Sequence, residues 1–481
     1  MRPYAILKYL GFALLLNALF LFISASISWY FNENSFIPLF YTALMCVLLG
    51  AFPVLFVEPI EEINFKEGTA ISVLGWLTTC FFGAVPYFMW GGEFTFAHAV
   101  FESVSGYTTT GSTVLQNIEM LTKGLLFWRS STHFVGGVGI ILFVLIILPD
   151  SKGVQSSIYR TEVSGISRMT FKTRSKHAIG IILIVYLTLV VVLTLLLWLQ
   201  QMSFFDAICH SFSTIATGGF STKNNSIAYF NSLGIEITLT IFMFLSSLHF
   251  GLLFMTIKRE KKNIFNSPIV KAFALTLLAG IVLVALNLWR TGHYTLSESF
   301  RVSSFQIVSL ASTTGSVTVD TDSWPQFSKL ILYYFMIQCA MVGSTGGGIK
   351  FDRIYLFFVS LKRQIRLIIH PQAIYVSRIN GNIVSESFEL QTVSFIVIYL
   401  IILFIVSLLL SAMGIDMETA VSASVTTIGN VGPGFSKISS MGNFAQLPDA
   451  AKYLLSLNML IGRLEIWSVF TLFIILSSKK R

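Results

Sequence analysis

Long apolar stretches separated by short polar ones run through the whole chain. A stretch of about 20 apolar residues crosses the roughly 30 Å hydrocarbon core of a bilayer as an α-helix. The pattern therefore predicts ten transmembrane helices, at residues 6–30, 36–57, 69–91, 125–149, 178–200, 231–257, 270–290, 329–359, 391–413 and 450–477. The first stretch is too long for a signal-peptide core and has no clear small-residue cleavage site, so we interpret it as a retained helix.

A second pattern occurs in four of the intervals between these stretches. After the stretches that end near residues 91, 200, 290 and 413, a half-length amphipathic segment leads into a glycine-containing polar cluster. The clusters lie at residues 108–112, 216–220, 312–316 and 429–433. Their aligned glycines recur roughly every 100 residues, which indicates an internal repeat. An even number of crossings separates successive clusters, so the four units are parallel and favour a fourfold ring around one axis.

The repeats divide the chain into five parts and predict an all-α polytopic membrane protein. Two N-terminal transmembrane helices (1–67) precede four units, each made of a helix, a pore helix, a filter loop and a second helix. The units are pore repeat 1 at 68–150, pore repeat 2 with a basic cytoplasmic loop at 151–262, pore repeat 3 with an intramembrane glycine loop and a cytoplasmic segment at 263–387, and pore repeat 4 at 388–481.

Composition supports membrane insertion and excludes a soluble globular protein. Hydrophobic residues make up 54% of the chain, charged residues 11%, and the mean hydropathy is +0.76, whereas soluble domains carry about 25% charged residues. The net charge of +9 comes mainly from basic residues in loops on one side, around 152–176, 258–271 and 350–378. By the positive-inside rule these loops and both termini are cytoplasmic, so the charge indicates topology and not nucleic-acid binding.

The sequence contains no clear constellation for covalent chemistry. The four cysteines are far apart and form no CxxC pair, and the seven histidines are scattered singly without metal-ligand spacing. Paired carboxylates and Ser/His arrangements at membrane depth are missing as well. We therefore expect no enzyme, no disulfide, no structural metal site and no covalently bound cofactor.

The four glycine loops have a physical role that fits cation transport. Irregular backbone at membrane depth is stable only where protein covers it or where it lines a water-filled path. A half-length helix ending inside the membrane points its partially negative carboxyl end at the axis, which favours a cation. Glycine then allows successive carbonyl oxygens to replace the hydration shell of a monovalent ion. Small-residue packing between helices would explain one such cluster, but not four in phase.

Three further motifs complete the pattern: Phe127-Trp128-Arg129-Ser130 with Gly136-Gly137 in repeat 1, Gly343-Ser344-Thr345-Gly346-Gly347-Gly348-Ile349-Lys350 in repeat 3, and Gly462-Arg463-Leu464-Glu465 in repeat 4. With these motifs and the four loops, nearly the whole chain resembles the Trk/Ktr/HKT superfamily of potassium transport proteins, most closely its bacterial TrkH/TrkG branch. The resemblance implies a potassium-channel-like pore built by one chain. It also implies a homodimer with two separate pores, a cytoplasmic TrkA-type nucleotide-binding (RCK) ring as partner, and a place in the bacterial inner membrane.

The resemblance places the selectivity filter, and its bound K⁺ ions, in the four clusters. The predicted filter residues are Thr109, Thr110, Gly111, Thr217, Gly218, Gly219, Thr313, Thr314, Gly315, Asn430, Val431 and Gly432. In the plant HKT branch a serine at the first glycine position goes with sodium permeation, so Gly111 favours potassium. The loops depart from a symmetric TVGYG ring, and Pro433 removes one backbone donor, which leaves imperfect selectivity over sodium open.

The glycine run at 343–348 interrupts an apolar stretch and should break the inner helix there, because each glycine costs about 1 kcal/mol relative to alanine. It is not a phosphate loop, since Ile349 separates Gly348 from Lys350. The resemblance supports a gate below the filter that moves with the cytoplasmic partner, and a passive kink is the alternative. The predicted gate residues are Gly343, Ser344, Thr345, Gly346, Gly347, Gly348, Lys350 and Arg463.

Arg463 lies deep in the last apolar stretch, where an ionised side chain is costly unless it is paired or faces water. We expect it to face the pore and to help the glycine run hold the path closed. The alternative is that it pins loop carbonyls or pairs with a carboxylate such as Glu465, and both roles are compatible. Arg129 is expected to brace a pore loop, and Lys350 to face the cytoplasmic vestibule.

These features together predict potassium uptake, with ions passing down their electrochemical gradient through a gated filter. Secondary symport of K⁺ with H⁺ or Na⁺ is the alternative, and the near absence of Asp and Glu from the mid-membrane stretches weighs against a proton relay. Asp206 and Asp416 stand just before pore helices 2 and 4, where they are expected to cap the helices and secondarily to attract cations.

Overall fold

The computed structural model describes residues 1–58, 63–139, 175–260, 263–379, 382–464 and 466–477. Most of the predicted basic loop of repeat 2 and the predicted cytoplasmic carboxyl terminus lie outside the described residues. Two helices precede the repeats, α1 (Pro3–Tyr30) and α2 (Phe36–Phe56). They pack closely where two glycines meet, since a Cβ atom on Gly11 would stand 2.6 Å from the carbonyl oxygen of Gly50.

Each of the four repeats contains an outer helix, a short pore helix and an inner helix. Repeat 1 has α3 (Phe65–Trp90), α4 (Phe96–Tyr107) and α5 (Lys123–Val138). Repeat 2 has α6 (Ser175–Leu199), α7 (Phe204–Ile215), α8 (Leu233–Ser247) and α9 (Phe250–Ile257). Repeat 3 has α10 (Pro268–Arg290), α11 (Leu296–Ala311), α12 (Gln326–Gln338) and α13 (Phe351–Ile369). Repeat 4 has α14 (Glu386–Ala412), α15 (Met417–Gly429), α16 (Asp449–Arg463) and α17 (Ile466–Ser477).

The remaining regular structure is short and lies between these helices. Three 3-10 turns occur at Ile118–Met120, Ser226–Phe230 and Ser436–Ile438, each after a filter loop. A two-residue antiparallel hairpin, β1 (Arg378–Ile379) with β2 (Asn382–Ile383), joins repeat 3 to repeat 4. The fold is therefore helical throughout the described membrane-embedded part, as the sequence predicts.

The pore helices α4, α7, α11 and α15 have the predicted half length of 12, 12, 16 and 13 residues. Each begins at a residue whose side-chain oxygen accepts a hydrogen bond from a backbone N–H of the first turn, which satisfies a donor that has no partner inside the helix. These capping residues are Thr95, Ser203, Thr295 and Asp416. The caps fix where each pore helix starts, and the glycine loops fix where it ends.

Six described helices are long and apolar enough to cross a membrane, namely α1, α2, α3, α6, α10 and α14. The prediction of uninterrupted helices at 231–257 and 450–477 was wrong, because α8 and α9 meet at 105° and α16 and α17 at 106°. In the first pair, His249 accepts a hydrogen bond from the N–H of Gly251 at 3.0 Å and so starts α9 as a new helix. In the second pair the break follows Gly462 and the charged Arg463.

Two other predicted crossings differ from simple helices. The stretch at 329–359 is broken as expected, since α12 ends at Gln338 and α13 begins at Phe351. The stretch at 125–149 is described only as far as Gly139, where α5 has already ended. Consequently α5, α8, α12 and α16 all end within the predicted span of their inner helix.

Candidate functional site

The four filter loops leave their pore helices with the same backbone hydrogen bonds. In each loop the N–H of the middle filter residue donates to the carbonyl oxygen of the residue five positions earlier, at 2.8–2.9 Å. The pairs are Thr110 with Ser105, Gly218 with Ser213, Thr314 with Ser309, and Val431 with Thr426. The four divergent sequences therefore adopt one backbone geometry, which confirms that the clusters are copies of one structural unit.

Left-handed backbone conformations occur at the same two positions in every loop. The first and third filter residues have positive φ, whereas the middle residue does not. The φ angles are 52° and 82° at Thr109 and Gly111, 57° and 82° at Thr217 and Gly219, 63° and 69° at Thr313 and Gly315, and 53° and 106° at Asn430 and Gly432. Residues other than glycine adopt this conformation at a cost. The repeated cost in four loops indicates that the alternating backbone, which can turn successive carbonyl groups to one side, is what these segments are built for.

The glycines of the four loops close a ring. A Cβ atom on Gly111 would collide with the carbonyl oxygen of Gly218, one on Gly219 with that of Thr314, and one on Gly315 with that of Val431. A Cβ atom on Gly432 would stand 2.7 Å from the carbonyl oxygen of Thr110, which returns the circuit to repeat 1. The four glycines also line one common pocket. We call these twelve residues the filter ring.

The side chains of the filter ring follow a lower symmetry than its backbone. In repeats 1 and 3 the hydroxyl groups of Thr108 and Thr110, and of Ser312 and Thr314, lie 2.8 Å apart. Repeats 2 and 4 have Ala, Gly or Val at the corresponding positions. The hydroxyl of Ser112 donates to the carbonyl oxygen of Gly432 at 2.9 Å, which is a further link between repeats 1 and 4. The predicted departure from a symmetric ring is thus confined to the side chains.

Arg129 on α5 holds the second loop from outside the ring, as predicted for a brace. Its Nη1 donates to the carbonyl oxygen of Ser221 at 2.9 Å, and its guanidinium carbon lies 3.6 Å from the centre of the Phe220 ring. His133, one helical turn further, stacks on the same ring at 4.1 Å. The sequence analysis missed His133 and Phe220. Their signal was weak, because a lone histidine and a lone aromatic residue are common in any membrane helix or loop.

The segment between α12 and α13, residues 339–350, is called the gate loop below. It contacts three pore-helix ends. The hydroxyl of Thr345 donates to the carbonyl oxygen of Ile215 at 3.0 Å, and the N–H of Gly347 donates to the hydroxyl of Thr313 at 3.3 Å. A Cβ atom on Gly347 would stand 2.8 Å from the carbonyl oxygen of Gly429. Since pore helices end at the filter ring, the gate loop packs directly against its inner side.

The break in inner helix 2 provides a second support for the gate loop. The N–H of Met341 donates to the carbonyl oxygen of Ser247 at 3.0 Å, and the N–H of Phe250 donates to that of Gly343 at 3.1 Å. A Cβ atom on Gly343 would stand 2.6 Å from the His249 ring. The sequence analysis missed this contact because it interpreted 231–257 as one continuous helix. The polar His249 within that apolar stretch was the only local signal.

Arg463 and Lys350 both bond to gate-loop carbonyl groups. The guanidinium of Arg463 donates to the carbonyl oxygen of Thr345 and to those of Gly136 and Gly137, the latter two at 2.6 and 3.0 Å. It therefore ties the gate loop to the end of α5 in repeat 1, which is the carbonyl-pinning arrangement. Glu465 lies outside the described residues. The ammonium group of Lys350 donates back to the carbonyl oxygen of Gly346, so it bonds within the gate loop.

The two predicted capping aspartates lie at the amino ends of their pore helices. Asp416 caps α15 by accepting from the N–H of Thr419 at 3.1 Å, and contacts with Thr419 and with Lys437 lower the pKa of its carboxyl to about 2. Asp206 lies inside the first turn of α7, where its carboxylate accepts from the hydroxyl of Thr222 at 2.6 Å. The capping residue of α7 is Ser203, so Asp206 supports that cap and does not replace it.

Comparison with known proteins gives a consistent picture over most of the chain. The TrkH family, described as cation transport protein, matches residues 39–481. The Trk system potassium uptake protein TrkH of Halomonas elongata is 33% identical over 416 residues, and that of Escherichia coli K12 is 34% identical over 420 residues, with 86% of each chain covered in both cases. The crystal structure of the potassium transporter TrkH from Vibrio parahaemolyticus superimposes with a TM-score of 0.89 at 29% identity, covering 98% of each chain.

Proposed function

The chain belongs to the TrkH family of cation transport proteins and serves potassium uptake, and we propose that the ions pass through the filter ring. The observation that carries this proposal is the closed circuit of contacts, in which each filter glycine abuts a carbonyl group of the next repeat. Carbonyl oxygens arranged around an axis can replace the water shell of a dehydrated potassium ion. Potassium is the cargo here, and no covalent chemistry is required.

The pore helices supply the electrostatic part of this mechanism. All four end at the filter ring, and the aligned peptide dipoles of a helix place about half a negative charge at its carboxyl end. The buried acidic residues described nearby are already paired: Glu102 with Arg129, Glu236 with Arg301, and Glu389 with Arg363. The attraction for a cation therefore comes chiefly from backbone dipoles and carbonyl groups, which suits a monovalent ion better than a site of free carboxylates.

The gate loop and Arg463 form the proposed gate. The gate loop packs against the inner side of the filter ring, and Arg463 ties it to repeat 1 while placing a positive charge near the path. Opening requires the loop to leave the pore-helix ends of Ile215 and Gly429. The contact with inner helix 2 at Ser247 and Phe250 means that this helix must move with the loop or release it.

The assembly and its regulation follow from the family. We propose a homodimer in the bacterial inner membrane, with both termini cytoplasmic and a TrkA-type nucleotide-binding ring on the cytoplasmic side that moves the gate loop. The relatives' names describe a Trk system, and basic residues of α13, among them Lys362, Arg363 and Arg366, extend beyond the gate loop toward that side. The positive-inside rule supports this orientation.

Cation flux into proteoliposomes tests the proposed function. We expect purified protein to take up potassium and rubidium well above sodium and lithium with no other gradient imposed, and Gly111→Ser to abolish this preference because its side chain meets the carbonyl group of Gly218. Uptake that requires an imposed proton or sodium gradient would show a coupled symporter instead. If the wild type is silent, Arg463→Ala is measured next, and silence of both folded proteins contradicts the proposed pore.

A further inference from the structure

The fourth filter loop differs from the others at one left-handed position. Thr109, Thr217 and Thr313 occupy this position in repeats 1 to 3, whereas repeat 4 has Asn430 with the same φ of 53°. The side chain of Asn430 is completely buried. Asparagine therefore satisfies the same backbone requirement as threonine, and its longer amide reaches groups outside its own loop.

The amide nitrogen of Asn430 ties the filter ring to inner helix 4. Its Nδ2 donates to the hydroxyl of Thr110 at 2.9 Å and to the carbonyl oxygen of Met459 at 3.0 Å. The proton of the Thr108 hydroxyl goes to the carbonyl oxygen of Val104 at 2.7 Å, so Thr110 must donate to Thr108 and accept from Asn430. This directional chain fixes both the rotamer of Thr110 and the orientation of the amide.

The amide oxygen of Asn430 faces two glycines on the other side. A Cβ atom on Gly347 would stand 2.5 Å from Oδ1, and one on Gly462 3.0 Å from it. Within the described part of the chain this oxygen accepts no hydrogen bond. Gly347 belongs to the gate loop, and Gly462 precedes Arg463 at the bend between α16 and α17. One side chain thus contacts filter loop 1, the gate loop and the bend in inner helix 4.

We propose that Asn430 couples the gate to the filter, an inference that rests on the proposed function of both. When the gate loop withdraws or the bend at Gly462 opens, the amide of Asn430 loses the surface that packs against its oxygen. The nitrogen can then leave Thr110, and the first filter loop loosens. Ion selectivity in this protein consequently depends on whether the gate loop is in place. Asn430 acts as a positioning residue in this coupling, through Thr110.

Permeability ratios in a double-mutant cycle test this coupling. The sodium-to-potassium ratio is measured from reversal potentials for the wild type, Asn430→Thr, Arg463→Ala and the double variant. Threonine is chosen because the other three repeats hold it in the same left-handed conformation. We expect Arg463→Ala to raise the ratio about three- to tenfold in the wild type, the range of one lost hydrogen bond, and by less than about 1.5-fold when Asn430 is already threonine.

Two further variants keep the test decisive. Thr110→Val removes the acceptor of the Asn430 amide and should reproduce the insensitivity to Arg463→Ala, which covers the case that Asn430→Thr folds poorly. Thr217→Ser is the matched control, because the Thr217 hydroxyl donates only to the neighbouring carbonyl of Ala216 among the bonds described for it. In that background Arg463→Ala should keep its full effect on the ratio.

The outcomes separate the coupling from the pore itself. If Arg463→Ala changes the ratio equally with asparagine or threonine at position 430, Asn430 merely holds the filter and the coupling is wrong. An unchanged ratio in Arg463→Ala alone, with raised flux, overturns the coupling as well and leaves the gate standing. If no variant passes potassium although all are folded, the proposed pore fails, and the coupling fails with it.

Discussion

The Nε atom of Arg129 lies 2.6 Å from the Oε1 atom of Glu102, and neither side chain is more than 2% exposed. Glu102 comes from pore helix α4 and also accepts from the N–H of Val114, beyond the first filter loop, at 3.0 Å. Arg129 reaches the second loop through Ser221. This buried ion pair therefore connects two neighbouring quarters of the filter ring from behind.

Removing one charge from this pair should destabilise the protein strongly. Glu102→Gln leaves the Arg129 guanidinium buried without its carboxylate, a change that typically costs about 3–5 kcal/mol. We expect a clear fall in the thermal unfolding midpoint of the purified protein in detergent. Lys437→Gln is the control, because its pair with Asp416 is 57% and 40% exposed and exposed pairs contribute only about 0–1 kcal/mol. Equal shifts in both variants would show that the buried pair has no special role.

Alanine at a filter glycine should block uptake. In Gly219→Ala and Gly315→Ala the new methyl group meets the carbonyl oxygen of Thr314 or Val431, and the φ angles of 82° and 69° are strained for alanine. We expect potassium flux to fall at least about tenfold, since strain of this kind costs 1–3 kcal/mol. Gly180→Ala in α6 is the control, because no atom lies within 4 Å of its Cβ position. Normal flux in the filter variants would contradict the ring.

Weakening the hold on the gate loop should raise basal flux. Arg463→Ala removes the donors to Thr345, Gly136 and Gly137. Arg463→Lys keeps the charge but not the planar fork that reaches several carbonyl groups at once, so it should raise flux less than alanine does. Potassium flux without the cytoplasmic partner is the measurement. Unchanged or lower flux in folded Arg463→Ala protein would sink the gate proposal.

The cap at Asp416 should affect stability only in strong acid. The pKa of its carboxyl, about 2, lies below the ordinary value near 3.9. The stabilisation is therefore fully present above the ordinary pKa and is lost as the pH falls through about 2. We expect the difference in unfolding midpoint between wild type and Asp416→Asn to be constant from pH 5 to 8 and to shrink below pH 3. A difference that changes between pH 5 and 8 would assign another role to this carboxyl.

Sequence reasoning located the four filter loops correctly because their signal is local. A capped half-length helix followed by glycine needs no distant partner to be recognised, and the four copies reinforce one another. The same reasoning failed at residues 248–249, because nothing nearby in the chain forces a bend there. The bend is stabilised by hydrogen bonds to Met341 and Gly343, about 90 residues away, which no local pattern encodes.

Hydrophobic periodicity and glycine spacing were thus sufficient for the helical membrane fold, the parallel fourfold repeat and the positions of the filter and the gate loop. These properties depend on how each segment partitions into a bilayer and on which residues tolerate a left-handed backbone. The order in which filter glycines meet carbonyl groups, the carbonyl partners of Arg463 and the bridging role of Asn430 required the folded chain. They are contacts between residues up to 327 positions apart, and such contacts exist only after the four repeats have packed around their common axis.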